Sequence, residues 1–304
     1  MKIANRMEKL APSLTLSITA LANELKAAGK DILSFSAGEP DFDTPQVVKD
    51  AAIKAINEGK TKYTAVEGIK ETKQAIINKL KKDHNLDYTL DKIVISNGAK
   101  HSLFNLAQAL IDEGDEVIIP SPYWVTYPEL VVYSGGVPVF IETDESTEFK
   151  ITAKQLKEKI TPKTKILMLN SPSNPTGSIY SKDELLAIGE VLKGTDIIVL
   201  SDEMYEKLIY KGKKFTATAE VSPDMYNRTV TINGLSKSVA MTGWRFGYVA
   251  CPNSALAKAM SKLQGQVTSN INSMTQYAEI VALEGYANKD IEMMRVEFEK
   301  RKDY

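Results

Sequence analysis

The sequence predicts an α/β fold, in which a mostly parallel, seven-stranded sheet is covered by helices in three layers. Short apolar runs alternate with stretches of helical periodicity, which is typical of a parallel sheet buried on both faces. The 304 residues, 43% of them hydrophobic, provide enough material for one large domain and part of another. The seven predicted strands lie at 93–95, 117–119, 137–141, 166–169, 197–200, 230–232 and 247–250.

The composition excludes several classes of partner. A formal net charge of −1 removes the electrostatic case for nucleic acid or an anionic membrane surface, so the expected partners are small molecules or protein. No apolar run approaches the ~20 residues that a membrane span needs. The single cysteine, Cys251, is expected in the core and cannot form an intrachain disulfide, which fits a reducing, cytoplasmic location.

The sequence also lacks the signatures of nucleotide and metal sites. It contains no G-x-G-x-x-G motif and no Walker-type phosphate loop. Only two histidines occur, His84 and His101, so neither a histidine-based triad nor a metal site is expected. His84 stands among lysines and an aspartate and is predicted to be solvated.

Helical periodicity and its interruptions divide the rest of the chain. The segment from Ala37 to Pro45 is too rich in Gly, Pro and Asp for regular structure and is predicted to be a loop. A second break, Lys60–Gly68, contains Tyr63. The predicted helices are Leu14–Ala28, which Gly29 terminates, Pro45–Asn57, Ile69–Asp83 and Ile291–Tyr304.

Unusual residues collect just after the predicted strands. Open α/β sheets build their sites in the crevice beyond the carboxyl ends of their strands. The sequence therefore predicts a site formed by Ser96–Lys100, Tyr123–Trp124, Asn170–Gly177, Asp202 and Asn233–Lys237.

Lys237 stands among small and apolar residues. Most lysines are solvated surface groups, and for Lys237 alone this remains the simpler interpretation. The alternative is a neutral amine that attacks a carbonyl and forms a Schiff base. Arg245 favours the alternative, because a planar guanidinium between Gly243 and Gly247 can grip a phosphate bidentately. A lysine for an aldehyde and an arginine for a phosphate together describe pyridoxal 5′-phosphate.

Asp202 directly follows a run of four apolar residues and Ser201, so its carboxylate is predicted to be buried and to need a cationic partner. A protonated pyridine nitrogen is one such partner and would keep the cofactor ring an electron sink. A structural salt bridge is the alternative. The turn Ser96–Lys100 precedes a helix whose free N–H groups suit a phosphate, although such turns join strands to helices in many α/β proteins.

The letters SK at Ser236–Lys237, followed by MTGWRFGY up to Tyr248, resemble the cofactor-lysine signature of class I aminotransferases. These are pyridoxal-phosphate enzymes of fold type I. The resemblance runs from Ala11 onward and is greatest to bacterial aspartate aminotransferases. It implies the fold type I architecture, a homodimer, and transamination between an L-amino acid and a 2-oxo acid, with Lys237 as the catalytic base and acid.

The resemblance also implies roles for the other site residues. Trp124 would stack on the cofactor ring, although core packing is the commoner role of an isolated tryptophan. Tyr205 and Asn174 would bond the cofactor's phenolic oxygen, with turn chemistry as the alternative for Asn174. Tyr63 would reach across the dimer to the neighbour's cofactor phosphate. The implied cofactor-binding residues are Gly98, Ala99, Lys100, Trp124, Asn174, Asp202, Tyr205, Ser236, Lys237, Arg245 and Tyr63, and the substrate-binding residues are Gly38, Lys100, Trp124 and Asn174.

Aspartate and glutamate are the predicted amino-acid substrates, because the resemblance places Lys100 near the distal carboxylate. An aromatic or prephenate-type aminotransferase is the alternative, since related enzymes share nearly all of these motifs. A third interpretation is a truncated, cofactor-binding homologue without turnover. The family continues beyond the position of Tyr304 and supplies an arginine for the substrate α-carboxylate that no residue here matches.

The resemblance also implies a division of the chain into three segments. Residues 1–43 would contribute to a small domain, residues 44–287 would form the large cofactor-binding domain, and residues 288–304 would begin the helix that leads into a missing part of the small domain.

Overall fold

The computed structural model describes residues 2–35, 38–210 and 212–304. Ala37, the first residue of the predicted loop, lies outside this range. The described part of the chain contains one sheet. Its strands are β1 (Ile93–Asn97), β2 (Glu116–Ser121), β3 (Val137–Glu142), β4 (Thr164–Asn170), β5 (Ile198–Asp202), β6 (Thr229–Gly234) and β7 (Phe246–Ala250).

The predicted mostly parallel sheet of seven strands is confirmed, with the order β1-β7-β6-β5-β4-β2-β3. All neighbouring pairs are parallel except those of β7, which runs antiparallel to both β1 and β6. Strands β1, β2, β4, β5 and β6 therefore end at one edge of the sheet, and β7 begins there.

The helices cover both faces of the sheet, as a three-layer fold requires. The predicted helix bounds agree with the observed ones to within three residues. The described helices are α1 (Asn5–Glu8), α2 (Leu14–Ala27), α3 (Gln46–Asn57), α4 (Lys70–His84), α5 (Ala99–Leu110), α6 (Thr126–Tyr133), α7 (Ala153–Lys159), α8 (Lys182–Leu192), α9 (Pro223–Arg228), α10 (Ser254–Val267), α11 (Ser273–Leu283) and α12 (Asn288–Asp303).

Two apolar layers hold the helices to the sheet. On one face, α5, α6 and α10 pack against residues such as Val94, Leu200 and Val249. On the other face, α3, α4 and α11 cover β1 and β7, while α7, α8 and α9 cover β2, β4 and β5. Cys251 is fully buried in the first layer, as predicted. In the described residues, no helix has both the length and the apolar character to cross a membrane.

The prediction for His84 is wrong. Its side chain is only 8% exposed, and its Nε2 lies 2.9 Å from a carboxylate oxygen of Glu206. The flanking lysines point to solvent, but His84 lies four residues after Leu80, which is buried, and so shares the inward face of α4.

Candidate active site

The predicted site residues gather at the sheet edge where β1, β4, β5 and β6 end. Asp202 closes β5, and Lys237 follows β6 by three residues. Arg245 comes immediately before β7 rather than after a strand. Because β7 runs in the opposite direction, its first residue pairs with Asn97 at the end of β1, and this brings Arg245 to the same edge.

Arg245 and the start of α5 form a narrow cradle. The Arg245 guanidinium donates to the carbonyl of Thr242 at 2.7 Å and to that of Asn97 at 3.4 Å. Gly98 has φ +83°, a conformation that favours glycine, and a Cβ there would lie 2.4 Å from Arg245 Nη2, so a larger residue would displace the guanidinium. Arg245 itself has φ +58°, a conformation that non-glycine residues adopt at some cost and that concentrates at functional sites.

The first turn of α5 supplies free donors to this cradle. Gly98 is its N-cap and has no side chain with which to cap the helix. The first N–H groups of a helix have no acceptor within the helix, and they carry its positive partial charge. Gly247 permits the close approach of β7, because a Cβ there would lie 2.3 Å from the backbone nitrogen of Ala99. The cradle therefore has the donors and the charge to hold a phosphate.

Lys237 lies half-buried at the same edge. Its Nζ donates to the carbonyl oxygen of Gly38, which brings the N-terminal loop over the lysine. Burial lowers the pKa of Lys237, the carboxylate of Glu39 opposes this shift, and the Arg245 charge adds to it. A lowered pKa enlarges the fraction of neutral amine at a given pH, and the neutral amine is the nucleophile that adds to carbonyl groups.

Lys100 and Trp124 lie together. The Lys100 Nζ sits 4.8 Å from the centroid of the Trp124 ring, within the range of a cation–π interaction. Burial lowers the pKa of Lys100, and the nearby charge of Arg245 lowers it further. In the described residues, Lys100 forms no salt bridge. It is therefore a cation available to an anionic ligand.

Asp202 is buried, 5% exposed, and carries no Lys or Arg partner in the described part of the chain. The Tyr127 hydroxyl donates to its Oδ2 at 2.8 Å, and the Met204 N–H donates to its Oδ1 at 3.2 Å. Burial raises the pKa of Asp202, while these two hydrogen bonds lower it in part. Within residues 2–35, 38–210 and 212–304, Asp202 forms no salt bridge, and no cation there offsets the burial of its carboxylate.

Tyr205 and Asn174 face each other near Asp202. Burial together with the Asp202 charge raises the pKa of Tyr205 to about 12, and the nearby side chain of Asn174 lowers it in part. Asn170, the last residue of β4, joins these groups: its Oδ1 accepts from the Asn174 N–H at 2.6 Å and its Nδ2 donates to the Asp202 carbonyl at 3.0 Å.

The predicted site residues line two cavities, and Tyr63 lines neither. Gly38, Tyr205 and Lys237 line one cavity of about 540 Å³, whereas Arg245 lines a neighbouring hollow of about 490 Å³. Ser236 is buried beside Lys237. Tyr63 lies in the loop between α3 and α4, is 91% exposed and lines neither cavity.

These residues fit pyridoxal phosphate. An uncapped helix N-terminus and a guanidinium can hold its phosphate, and a half-buried lysine can bind its aldehyde. The clearest match is Asp202, whose burial without a cation would be relieved by a protonated ring nitrogen. When bound, the cofactor supplies an electron-withdrawing ring that stabilises negative charge on a substrate carbon.

Two residues position this site in ways that the sequence analysis did not specify: Tyr127 was not named, and Asn170 was included in the predicted segment Asn170–Gly177 without a role. Tyr127 orients Asp202 and also packs its ring edge-on against Trp124, at a centroid distance of 5.5 Å. Asn170 joins Asn174 to Asp202. Tyr127 could have been found from its position three residues after Trp124, because residues three apart at the start of a helix lie on one face.

Comparisons with known proteins agree with this geometry. The family model of class I and II aminotransferases matches residues 30–304. The aspartate aminotransferase of Geobacillus stearothermophilus is 54% identical over 301 residues, which are 99% of this chain and 76% of that protein. The aspartate/prephenate aminotransferase of Nitrosomonas europaea is 51% identical over 286 residues, 94% of this chain and 72% of that protein.

A solved structure extends the comparison to three dimensions. The aspartate aminotransferase of Thermus thermophilus with maleate has a TM-score of 0.96 and 40% identity to this chain, covering 100% of this chain and 78% of that one. This chain therefore belongs to the class I and II aminotransferases, enzymes that transfer amino groups with pyridoxal phosphate as their cofactor.

Proposed function

We propose that the chain transfers the amino group of aspartate or glutamate to a 2-oxo acid. Lys100 carries this proposal, because it is an exposed cation next to Trp124 with no carboxylate partner among the described residues. The distal carboxylate of an acidic substrate would supply that partner. The names of the relatives add support: two are aspartate or aspartate/prephenate aminotransferases, and the Thermus structure is named with maleate, a dicarboxylate.

Each residue at the sheet edge has a proposed task. Arg245, Ser236 and the backbone of Gly98 and Ala99 hold the cofactor phosphate. Trp124 packs flat on the ring and Asp202 holds the proton on its nitrogen. Residues 44–287 thus form the cofactor-binding domain, and residues 1–43, which carry Gly38, contribute to a small domain together with residues 288–304.

Lys237 has two tasks in this proposal. Its Nζ would hold the cofactor through its aldehyde. The same Nζ would remove the proton from the substrate Cα as general base and return a proton as general acid. Asn174 and Tyr205 bond the cofactor's phenolic oxygen, and Gly38 lets the backbone approach the substrate closely.

Substitution of Lys100 tests the substrate. In Lys100→Met, the first half-reaction with aspartate, followed as loss of near-visible absorbance in a single turnover, should slow by roughly 10- to 100-fold, because one charge-assisted hydrogen bond is worth ~1.5–3 kcal/mol. The rate with phenylalanine should stay nearly constant. Lys100→Arg, which keeps the charge, is the matched control. An equal fall with both substrates would instead assign Lys100 to the cofactor.

An aromatic or prephenate-type aminotransferase is the second candidate. The cavity beside Lys237 is lined in part by the apolar side chains of Ile179, Leu208 and Phe298, which suit a ring. The same half-reaction assay separates the candidates, since a faster reaction with phenylalanine than with aspartate would favour this one. Absence of reaction with either amino acid would favour a cofactor-binding homologue without turnover.

We further propose that the enzyme is a homodimer in the cytoplasm. Tyr63 is 91% exposed and contacts no part of its own site cavity, which suits a residue that serves the neighbouring subunit. Exposed apolar side chains on α2, Leu14, Ile18 and Leu21, provide apolar surface of the kind that interfaces bury. The single, buried thiol of Cys251 fits a reducing compartment.

Mixed subunits test the role of Tyr63. Tyr63→Phe should weaken pyridoxal phosphate binding about tenfold, because one hydrogen bond to a charged group is lost. If Tyr63 acts across the dimer, co-refolding Tyr63→Phe with Lys237→Ala subunits should restore one tight, covalently binding site per heterodimer, read by absorbance titration. Sedimentation of each homodimer is the control. Failure to restore the site would place Tyr63 outside the partner's cofactor site.

A further inference from the structure

The segment Asp202–Glu206, DEMYE in sequence, presents two different faces. Asp202 and Tyr205, three residues apart, face the proposed cofactor site. Glu203 and Glu206, also three apart, point to the opposite side of the sheet and are 1% and 8% exposed. The Glu206 N–H donates to the Glu203 carbonyl at 3.0 Å, so the segment is a single turn. A movement of one face therefore moves the other.

Helix α4 holds the buried face of this turn. Lys79 forms an ion pair with Glu206, and His84 Nε2 bonds the other carboxylate oxygen at 2.9 Å. Asp83 pairs with Lys207 at 2.6 Å and lies 3.6 Å from Lys79. Burial alone would raise the pKa of Glu206, but the charge of Lys79 and the hydrogen bond from His84 outweigh it and hold the pKa below its usual range. Glu206 is therefore a buried, ionised anchor.

His84 is itself held from two sides. Its Nδ1 lies 3.2 Å from a carboxylate oxygen of Glu220, and the Phe215 ring packs edge-on against it at 5.4 Å. Burial lowers the pKa of His84, but the hydrogen bond to Glu206 and the charges of Glu206 and Glu203 together outweigh it, so the pKa is raised. The charged groups that face one another here are Lys79, Asp83, His84, Glu203, Glu206, Lys207 and Glu220.

A bound cation does not explain this cluster. Asp83, His84 and Glu206 lie close enough together to share a metal ion. The ammonium group of Lys79 is already paired with Glu206, and that of Lys207 with Asp83. The positive charge that the carboxylates need is thus supplied by the chain, and the cluster instead anchors the turn to α4.

We propose that Glu206 is a positioning residue for amino transfer: its contacts with Lys79 and His84 fix the turn that aims the Tyr205 hydroxyl at the cofactor. This inference rests on the proposed role of Tyr205. The peptide that links Tyr205 to Glu206 is rigid, so loss of the Glu206 anchor lets the Tyr205 hydroxyl move away from Asn174. Displacements of about 1 Å at a reacting centre are costly to rate.

A double-mutant cycle tests this coupling. Glu206→Gln keeps the side-chain shape and removes the charge. It should weaken pyridoxal phosphate binding, measured by absorbance titration, and slow the aspartate half-reaction, each roughly tenfold. In a Tyr205→Phe background the same substitution should change both by less than about twofold, because the group being positioned is already gone. Equal effects in the two backgrounds would overturn the proposal.

Further variants separate positioning from folding. Glu206→Gln leaves the Lys79 ammonium group with only Asp83, 3.6 Å away, as a partner, so Lys79→Met/Glu206→Gln, which removes both charges, provides a second measurement with the same two expected outcomes. Lys79→Arg keeps the cation and should retain the affinity within about threefold. The matched control is Lys73→Met. Lys73 is a buried lysine on the same helix, but it pairs with Glu67. Its replacement should lower the melting temperature but not the cofactor affinity.

The cycle also separates failure of the role proposed for Tyr205 from failure of the role proposed for Glu206. If Tyr205→Phe alone leaves binding and rate unchanged, the proposed role of Tyr205 is wrong, and the positioning role of Glu206 falls with it. If Tyr205→Phe is impaired but Glu206→Gln is not coupled to it, only the positioning role is wrong.

Discussion

Replacing Lys237 with alanine should abolish the shift in near-visible absorbance that pyridoxal phosphate shows when its aldehyde bonds to an amine of the protein, and should slow amino transfer about 10⁴-fold, the upper end of what a positioned acid–base group contributes. Lys237 is the half-buried lysine whose pKa is lowered by its surroundings at the sheet edge, and its Nζ lies against the Gly38 carbonyl in the site cavity. The cofactor phosphate should still bind weakly, because Arg245 and α5 remain.

The control for this experiment is Lys92→Ala. Lys92 is also half-buried, but it precedes β1 and therefore lies at the opposite edge of the sheet, where its ammonium group sits over the Tyr226 ring. Its replacement should leave both the absorbance and the rate unchanged. Retention of the absorbance shift in Lys237→Ala would show that another amine binds the aldehyde, and the assignment of Lys237 would have to be abandoned.

The strands and much of the site could be predicted because both depend on patterns local in sequence. A strand buried on two faces is an uninterrupted apolar run, and the polar residue that ends it, as Asp202 ends β5, then lies at the sheet edge. Arg245 did not fit this rule, since it precedes β7. The motif around Lys237, rather than strand periodicity, brought it into the prediction.

The contacts that could not be predicted join residues distant in sequence. Tyr127 and Asp202 are 75 positions apart, and His84 and Glu206 are 122 apart. Their chemistry depends on which helix lies over which strand end, and the residue pattern of α4 or α6 alone does not fix that. The wrong prediction for His84 arose because its immediate neighbours are charged, whereas the residues one turn away, which share its face, are buried.

Two buried carboxylates illustrate why burial alone does not identify a cofactor ligand. Asp202 is 5% exposed and Glu279 is 0% exposed, and burial raises the pKa of both. Asp202 accepts hydrogen bonds from Tyr127 and Met204, which favour its ionised form. Neither oxygen of Glu279 has a hydrogen-bond partner in the described residues, so its neutral form is favoured.

Asp202→Asn should therefore reduce the turnover of aspartate by about two to four powers of ten, since a desolvated ion pair that loses one partner costs ~3–5 kcal/mol. The amide keeps the side-chain shape: its oxygen can accept from the Met204 N–H while the Tyr127 hydroxyl accepts from its NH2 group, so the loss chiefly reports the negative charge. Glu279→Gln is the matched control, and it should leave turnover unchanged because the carboxyl group it replaces is already neutral. We would compare the two variants by steady-state rates and cofactor titrations, and verify their folding by melting curves. Equal turnover in Asp202→Asn and the unmodified enzyme would mean that the cofactor ring nitrogen is not held by this carboxylate, and that Asp202 only anchors Tyr127 at the end of β5.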